Sequence, residues 1–163
     1  MSEPMVRIRM ARVEGAQLAQ LVDDFRELVG ANRDLDDPAI ARLVPDPYPD
    51  DEDSSRAFRD ATGDDLLDRR ALDADVVRTS LAGMRGDLGE MSQSEAFTEH
   101  DLDIPASDID AWMRTLTALR LVIADRLGIE SDDDHDPEDP RFGVYDWLGY
   151  RLELTIEAAD ELL

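Results

Sequence analysis

Apolar residues recur at helical spacing in four separate stretches of this chain, whereas a two-residue alternation occurs in only one. A helix buries a stripe at i, i+3, i+4 and i+7, and a half-buried strand buries every second side chain, so this imbalance selects a mainly α fold. Val13, Leu18, Leu21, Val22, Phe25, Leu28 and Val29 share one helical face, with Gly30 and Asn32 as a stop, which predicts a helix at about 14–30. Leu66, Leu67, Ala71, Ala74, Val77, Leu81 and Met84 predict a second over about 63–84, opened by Thr62 and Asp65 at capping-box spacing. A third carries Ile109, Trp112, Met113, Leu116, Leu119, Ile123 and Leu127, between a Ser107–Asp110 cap and Gly128. The fourth starts near Arg141 and turns Val144, Trp147, Leu148, Leu152, Ile156 and Ala159 inward. Val6, Ile8 and Met10, alternating with Arg7 and Arg9, read as one short strand.

The connections are short helices and polar loops. Ile40 and Leu43 lie on a short helical turn, and Pro45, Pro47 and Pro49 make residues 45–51 an extended connector. Ser54 to Ala61 predicts a short helix with Ala57 and Phe58 inward. After Gly83, Gly86 and Gly89 the chain is mostly polar to residue 105, with Phe97, Leu102 and Ile104 forming a short extended return. The expectation is a single helical domain over 1–163, with about four longer helices, additional short helices and a short N-terminal β-strand.

Composition narrows the function classes. The 163 residues hold 40 acids against 17 bases, every base is arginine, and there is no cysteine. Disulfides, thiolate catalysis and cysteine-held metal clusters are excluded. Nucleic-acid binding draws its affinity from phosphates neutralised by Lys and Arg, so a net charge of −23 disfavours direct DNA binding and anionic membranes and favours a basic partner. No apolar run reaches the ~20 residues of a membrane helix and the N-terminus has no signal-peptide core, so a cytoplasmic protein is expected.

Candidate chemistry is sparse. Asp132, Asp134 and Asp136 have the odd spacing of a calcium loop, but Pro137 stands where the turn needs Gly and Gly143 where a bidentate Glu is needed. A solvated acidic loop is the expectation. His100 and His135 sit among acids outside any zinc or triad pattern, and no phosphate-cradling loop or nucleophile elbow is present. The expectation is therefore no enzyme, no metal and no cofactor, with an enzyme of unknown class and a helical active site as an alternative. Trp112, Tyr145 and Trp147 read as core aromatics. Arg120 and Arg126 interrupt an apolar face, and either pair with acids such as Asp146 or project to a partner, with internal pairing favoured. An apolar stripe left exposed on the last helix would allow a homodimer.

Three stretches together carry a resemblance. They are Arg42-Leu43-Val44-Pro45-Asp46-Pro47-Tyr48-Pro49-Asp50-Asp51, followed by Ala57-Phe58-Arg59; Trp112-Met113-Arg114-Thr115-Leu116, running on to Arg120 and Arg126-Leu127-Gly128-Ile129; and Tyr145-Asp146-Trp147-Leu148. In this order the chain resembles the actinobacterial oxidative stress regulator AosR family, formerly a domain of unknown function and often encoded beside the ClpS proteolytic adaptor. The resemblance implies a transcriptional regulator that engages a sigma factor or RNA polymerase, with a cysteine redox switch. It also offers, as an alternative, an accessory role in ClpS/Clp-linked proteolysis. It marks Arg42, Leu43, Pro45, Asp46, Tyr48, Asp50, Trp112, Arg120, Arg126, Tyr145, Asp146 and Trp147 as structural or partner-binding positions. The redox switch has no cysteine to operate with in this chain.

Overall fold

A computed structural model describes residues 3–44, 50–130, 134, 136 and 138–162, without the side chains of 55 and 58–61. The elements run β1 (Met5–Ala11), α1 (Arg12–Leu28), α2 (Pro38–Leu43), α3 (Glu52–Ser80), α4 (Gln93–Phe97), β2 (Glu99–Pro105), α5 (Ile109–Leu127) and α6 (Gly143–Asp160), with 3-10 turns at Ala82–Met84, Ala106–Asp108 and Pro140–Phe142. The fold is mainly α, as the periodicity predicts. No helix among the described residues is long and apolar enough to cross a membrane.

The extended return before Pro105 is a full strand. β2 pairs antiparallel with β1 in the register Val6↔Ile104, Ile8↔Leu102 and Met10↔His100. Val6, Ile8, Met10 and Ile104 face the core, while the outer face sets Arg7 opposite Asp103 and Arg9 opposite Asp101, with Nε to carboxylate distances of 2.9 and 3.0 Å. A two-stranded ribbon is marginal alone, and here it lies on α1 and α6. Phe97 is not part of the return: it ends α4, at 67% exposure.

Two predicted helices, 54–61 and 63–84, are one. α3 runs unbroken for 29 residues, about 43 Å at 1.5 Å per residue. The cap is Asp51, which accepts from the Ser54 backbone N–H at 3.1 Å, so Thr62 and Asp65 do not open a helix. Gly63 inside a helix costs only about 1 kcal/mol relative to Ala, too little to divide one anchored at both ends. Ala57 is exposed rather than inward; the Phe58 side chain lies outside the description. The expected stripe is otherwise buried at Leu67, Ala71, Ala74 and Val77, with Leu66 half-buried; the helix ends at Ser80 rather than 84, so Leu81 and Met84 are buried from its cap and from the 3-10 turn that follows.

α5 is the central element, packed against α2, α3 and α6. Its expected Ser107–Asp110 cap does not form. A 3-10 turn precedes Ile109, Asp108 makes no capping bond, and the Ser107 N–H donates to Glu3 at 2.7 Å. Its end is as predicted: Gly128 takes φ 75°, a conformation side chains disfavour, and lets Ile129 N–H reach the Ala124 carbonyl at 2.8 Å. The inner face of α6 is the expected one apart from Ile156, with Val144, Trp147, Leu152 and Ala159 half-buried against the core, and it also takes in two polar residues. Leu148, Arg151 and Thr155 are buried, whereas Ile156 is 42% exposed.

Candidate functional site

Residues of the three recognisable stretches meet mainly on the flanks of α5. Asp37 starts α2, accepting from the Ala39 N–H at 2.9 Å, and also receives Arg126 Nη1 and Nη2 at 2.8 and 2.7 Å. At the other end of α2, Arg42 donates to the Ile129 carbonyl at 2.9 Å and stands 3.4 Å from Asp125. Adjacent residues of α5 thus grip opposite ends of one short helix through Asp37 and Arg42, which carry the charges that those two termini favour. The bonds from Arg126 hold the Asp37 carboxyl below its ordinary range against the opposing effect of burial. Leu43 is buried beside this clamp, and Asp50 lies exposed in the turn before α3. Pro45, Asp46 and Tyr48 lie outside the described residues.

The expectation that Arg126 is internally paired holds, and the acids that meet it are Asp37 and Asp125. Because its side chain is half exposed, the pair is a modest one. A double-mutant cycle of Arg126→Gln and Asp37→Asn, read by urea unfolding, is expected to give a coupling of about 0.5–1 kcal/mol. A coupling indistinguishable from zero would remove the clamp from the account of how α2 is held.

Arg120 has a different environment. Its guanidinium lies 4.2 Å from the centroid of the Tyr145 ring, and its Nε is buried without a hydrogen-bond partner among the described residues. This cation–π contact crosses from α5 to α6. Gly149 flanks it, and a Cβ there would stand 3.1 Å from Arg120 Cζ. Asp146 is exposed on α6. Trp112 is buried at 1% exposure, with its Nε1 3.4 Å from Ser80 Oγ, and Trp147 is half-buried.

Trp147 leads to a centre that sequence reasoning does not single out. Glu14, in the first turn of α1, accepts from Trp147 Nε1 at 2.8 Å, from Arg151 Nε at 3.1 Å and Nη2, and from the Ala11 N–H at 3.3 Å. Arg151 Nη1 continues to the Arg9 carbonyl at 2.9 Å, tying α6 to β1. Burial alone would raise the Glu14 carboxyl, but bonds from Arg151, Trp147 and Ala11 outweigh it and bring it below its ordinary range. One signal for it exists in the sequence: a half-buried indole N–H needs an acceptor, and an arginine at i+4 shares its helix face.

The same pattern holds the rest of the molecule. Asp23 receives Arg78 at 2.8 Å as well as Arg85; Asp75 receives Arg26 and Arg78; Arg33 spans Asp64 and Asp68; Arg114 closes on Asp73 at 2.9 and 3.1 Å. Arginines therefore serve largely as staples between elements, leaving the acid surplus on the surface. Exposed pairs contribute little and are screened by salt, whereas a charge of −23 repels itself throughout. Raising ionic strength from about 0.05 to about 0.5 M should therefore raise Tm in a circular-dichroism melt. A falling Tm would show that the staples outweigh the repulsion.

Part of the surplus lines one helix face. Asp146, Tyr150, Glu153, Glu157 and Asp160 recur at intervals of three and four along α6, and all are exposed. Ile156 adds apolar surface beside them, and the last turn of the helix holds no base. Carboxylates at a helix C-terminus oppose the helix dipole, so a cation is favoured there.

No group of three or more His, Cys, Asp or Glu among the described residues is placed to hold a metal ion. The expected acidic loop is only partly described, since residues 131–133, His135 and Pro137 lie outside the description; Asp134 accepts from the Glu130 N–H at 2.9 Å. His100 is half-buried on the ribbon opposite Met10. No curated protein and no solved structure matches the chain. The family model of a domain of unknown function, DUF2017, matches residues 2–159.

Proposed function

We propose that this chain, which belongs to the DUF2017 family, is a cytoplasmic, non-enzymatic regulator that binds a basic surface of another protein through the outer face of α6. The observation that carries the reading is the exposed stripe from Asp146 to Asp160, acidic along its length and with Tyr150 and Ile156 as apolar contacts. Complementary charge of this kind steers association and selects partners. The resemblance to the AosR family makes the transcription machinery, a sigma factor or RNA polymerase, the partner of choice. With no thiol in the chain, binding is independent of peroxide. A second copy is a poor occupant, because an isologous pairing of this face sets carboxylate against carboxylate.

The test is affinity purification of the tagged protein from its native lysate, with and without peroxide, beside the variant Glu153→Lys/Glu157→Lys. Recovery of sigma factor or RNA polymerase by the parent protein, equal in both conditions and lost in the variant, is the expected result. Equal recovery by the charge-reversed variant would remove α6 from the interface. Recovery of ClpS or Clp components alone would replace this reading with an accessory role in proteolysis. Tight sequence-specific DNA binding by the isolated protein at physiological salt would overturn the charge argument.

A further inference from the structure

We propose that a groove between α3 and α5 binds a small organic anion, its oxyanion head held by Arg69 and Arg70 and its apolar body lying on Leu66 and Leu72. Leu66, Arg69, Arg70 and Asp73 recur at helical spacing along α3, and Arg114 and Thr117 close the groove from α5. Three arginines stand there against one carboxylate, in a protein with more than two acids for each base. Both oxygens of Asp73 are taken by Arg114, at 2.9 and 3.1 Å. Arg70 Nε is buried and finds no hydrogen-bond partner among the described residues.

Burial draws the Arg70 guanidinium below its ordinary pKa, Asp73 opposes this, and Arg114 adds repulsion in the same direction as burial. An anion at this point relieves both the lost hydration and the repulsion, and the planar guanidinium fork matches a carboxylate or a phosphate ester. Leu72, 65% exposed, supplies a wall that inorganic phosphate alone would not use. The inference stands on α3 and is independent of the acidic face of α6.

The probes are phenyl phosphate, benzoate, inorganic phosphate and neutral phenol, titrated by calorimetry into the full chain in a chloride buffer. At least one of the two organic anions is expected to bind with one-to-one stoichiometry, and which one binds identifies the head group. Arg70→Gln should weaken that binding by about tenfold or more, the worth of one charge-assisted hydrogen bond. Leu72→Ser, at an exposed position, should weaken it by a smaller factor. Because Arg70 Nε holds no partner and burial disfavours its charge, the Tm of Arg70→Gln should be no lower than that of the parent, which separates loss of site from loss of fold. The proposal is overturned if neither organic anion binds at millimolar concentration or if Arg70→Gln binds equally well. Inorganic phosphate binding as tightly as phenyl phosphate, or phenol binding as tightly as benzoate, would overturn it too.

Discussion

Replacing Glu14 with Ala is expected to destabilise the protein by about 3 kcal/mol. The reason lies less in the missing hydrogen bonds than in the charge that stays behind. Arg151 is only 8% exposed, and without Glu14 its guanidinium keeps the Arg9 carbonyl but loses its counter-charge. Removing one member of a buried pair costs about 3–5 kcal/mol, and the partial exposure of Glu14 places this case at the low end. Trp147 Nε1 and the Ala11 N–H lose their acceptor in the same step. Glu14→Gln keeps an acceptor oxygen and removes only the charge, so about half the loss is expected.

The pH dependence of that difference separates the charge from the shape. The folded-state pKa of Glu14 lies below its ordinary value, so its ionised form stabilises the fold above the unfolded pKa of about 4.3. That stabilisation disappears as pH falls through the folded pKa. The gap in urea midpoint between parent and Glu14→Gln should be flat from about pH 8 to 6 and close as pH falls below about 4. Other paired carboxylates, such as Asp23 and Asp37, titrate in both proteins and cancel in the difference. A gap that stays constant into the acid transition would show that the interaction is one of packing.

Interactions that have a period are the ones legible in the sequence. The stripes of α1, α3 and α5 can be read because long helices repeat their apolar contacts, and Leu18, Val22, Leu67, Val77, Trp112 and Leu116 are buried where the spacing places them. β2 is legible only as an extended return, because its alternation is carried by His100, Leu102 and Ile104 against Glu99, Asp101 and Asp103, and one of its inward residues is polar. Its partner lies 88 to 100 residues earlier, and nothing local announces a ribbon of that separation. The false helix start at Thr62 has the same origin: a capping spacing is a local signal, and the helix is anchored more than ten residues upstream by Asp51.

The site is legible in composition and not in pairing. Forty acids make carboxylate partners for most arginines expected in kind and unreadable in identity, so the meeting of Arg126 with Asp37 emerges only from the folded chain. Arg151 defeats the periodicity argument more directly. An arginine on an inner face counts against burial until a carboxylate stands opposite, and Glu14 lies 137 residues away. Arg151 and Thr155 are inside and Ile156 is outside with the acidic face, an arrangement that apolar spacing alone does not give.

Gly15→Ala carries the other large effect, and its sign runs against helix propensity. Within α1 an alanine is favoured over glycine by about 1 kcal/mol. The opposing fact is the 3-10 turn after α3, which lays Met84, at 3% exposure, directly on the Gly15 backbone. A Cβ at Gly15 would stand 2.3 Å from Met84 Cε, 2.9 Å from its Cβ and 3.0 Å from its Cγ. Rotating the thioether removes the first overlap but not the second, because the Met84 Cβ moves only with its backbone. Overpacking of this kind costs about 1–3 kcal/mol, and because backbone must move here the upper end applies; less the propensity gain, a net loss of about 2 kcal/mol is expected, a fall in Tm of roughly 4–8 °C. Gly83→Ala is the control: no atom lies within 4 Å of its Cβ position, and the change should stay within about 0.5 kcal/mol. The double variant Gly15→Ala/Met84→Ala should lose less than the two single losses together, since the first substitution no longer meets a side chain beyond Cβ. A Gly15→Ala variant as stable as the parent would mean that the turn carrying Met84 yields freely, and the contact between α1 and the end of α3 would then set no constraint on residue 15.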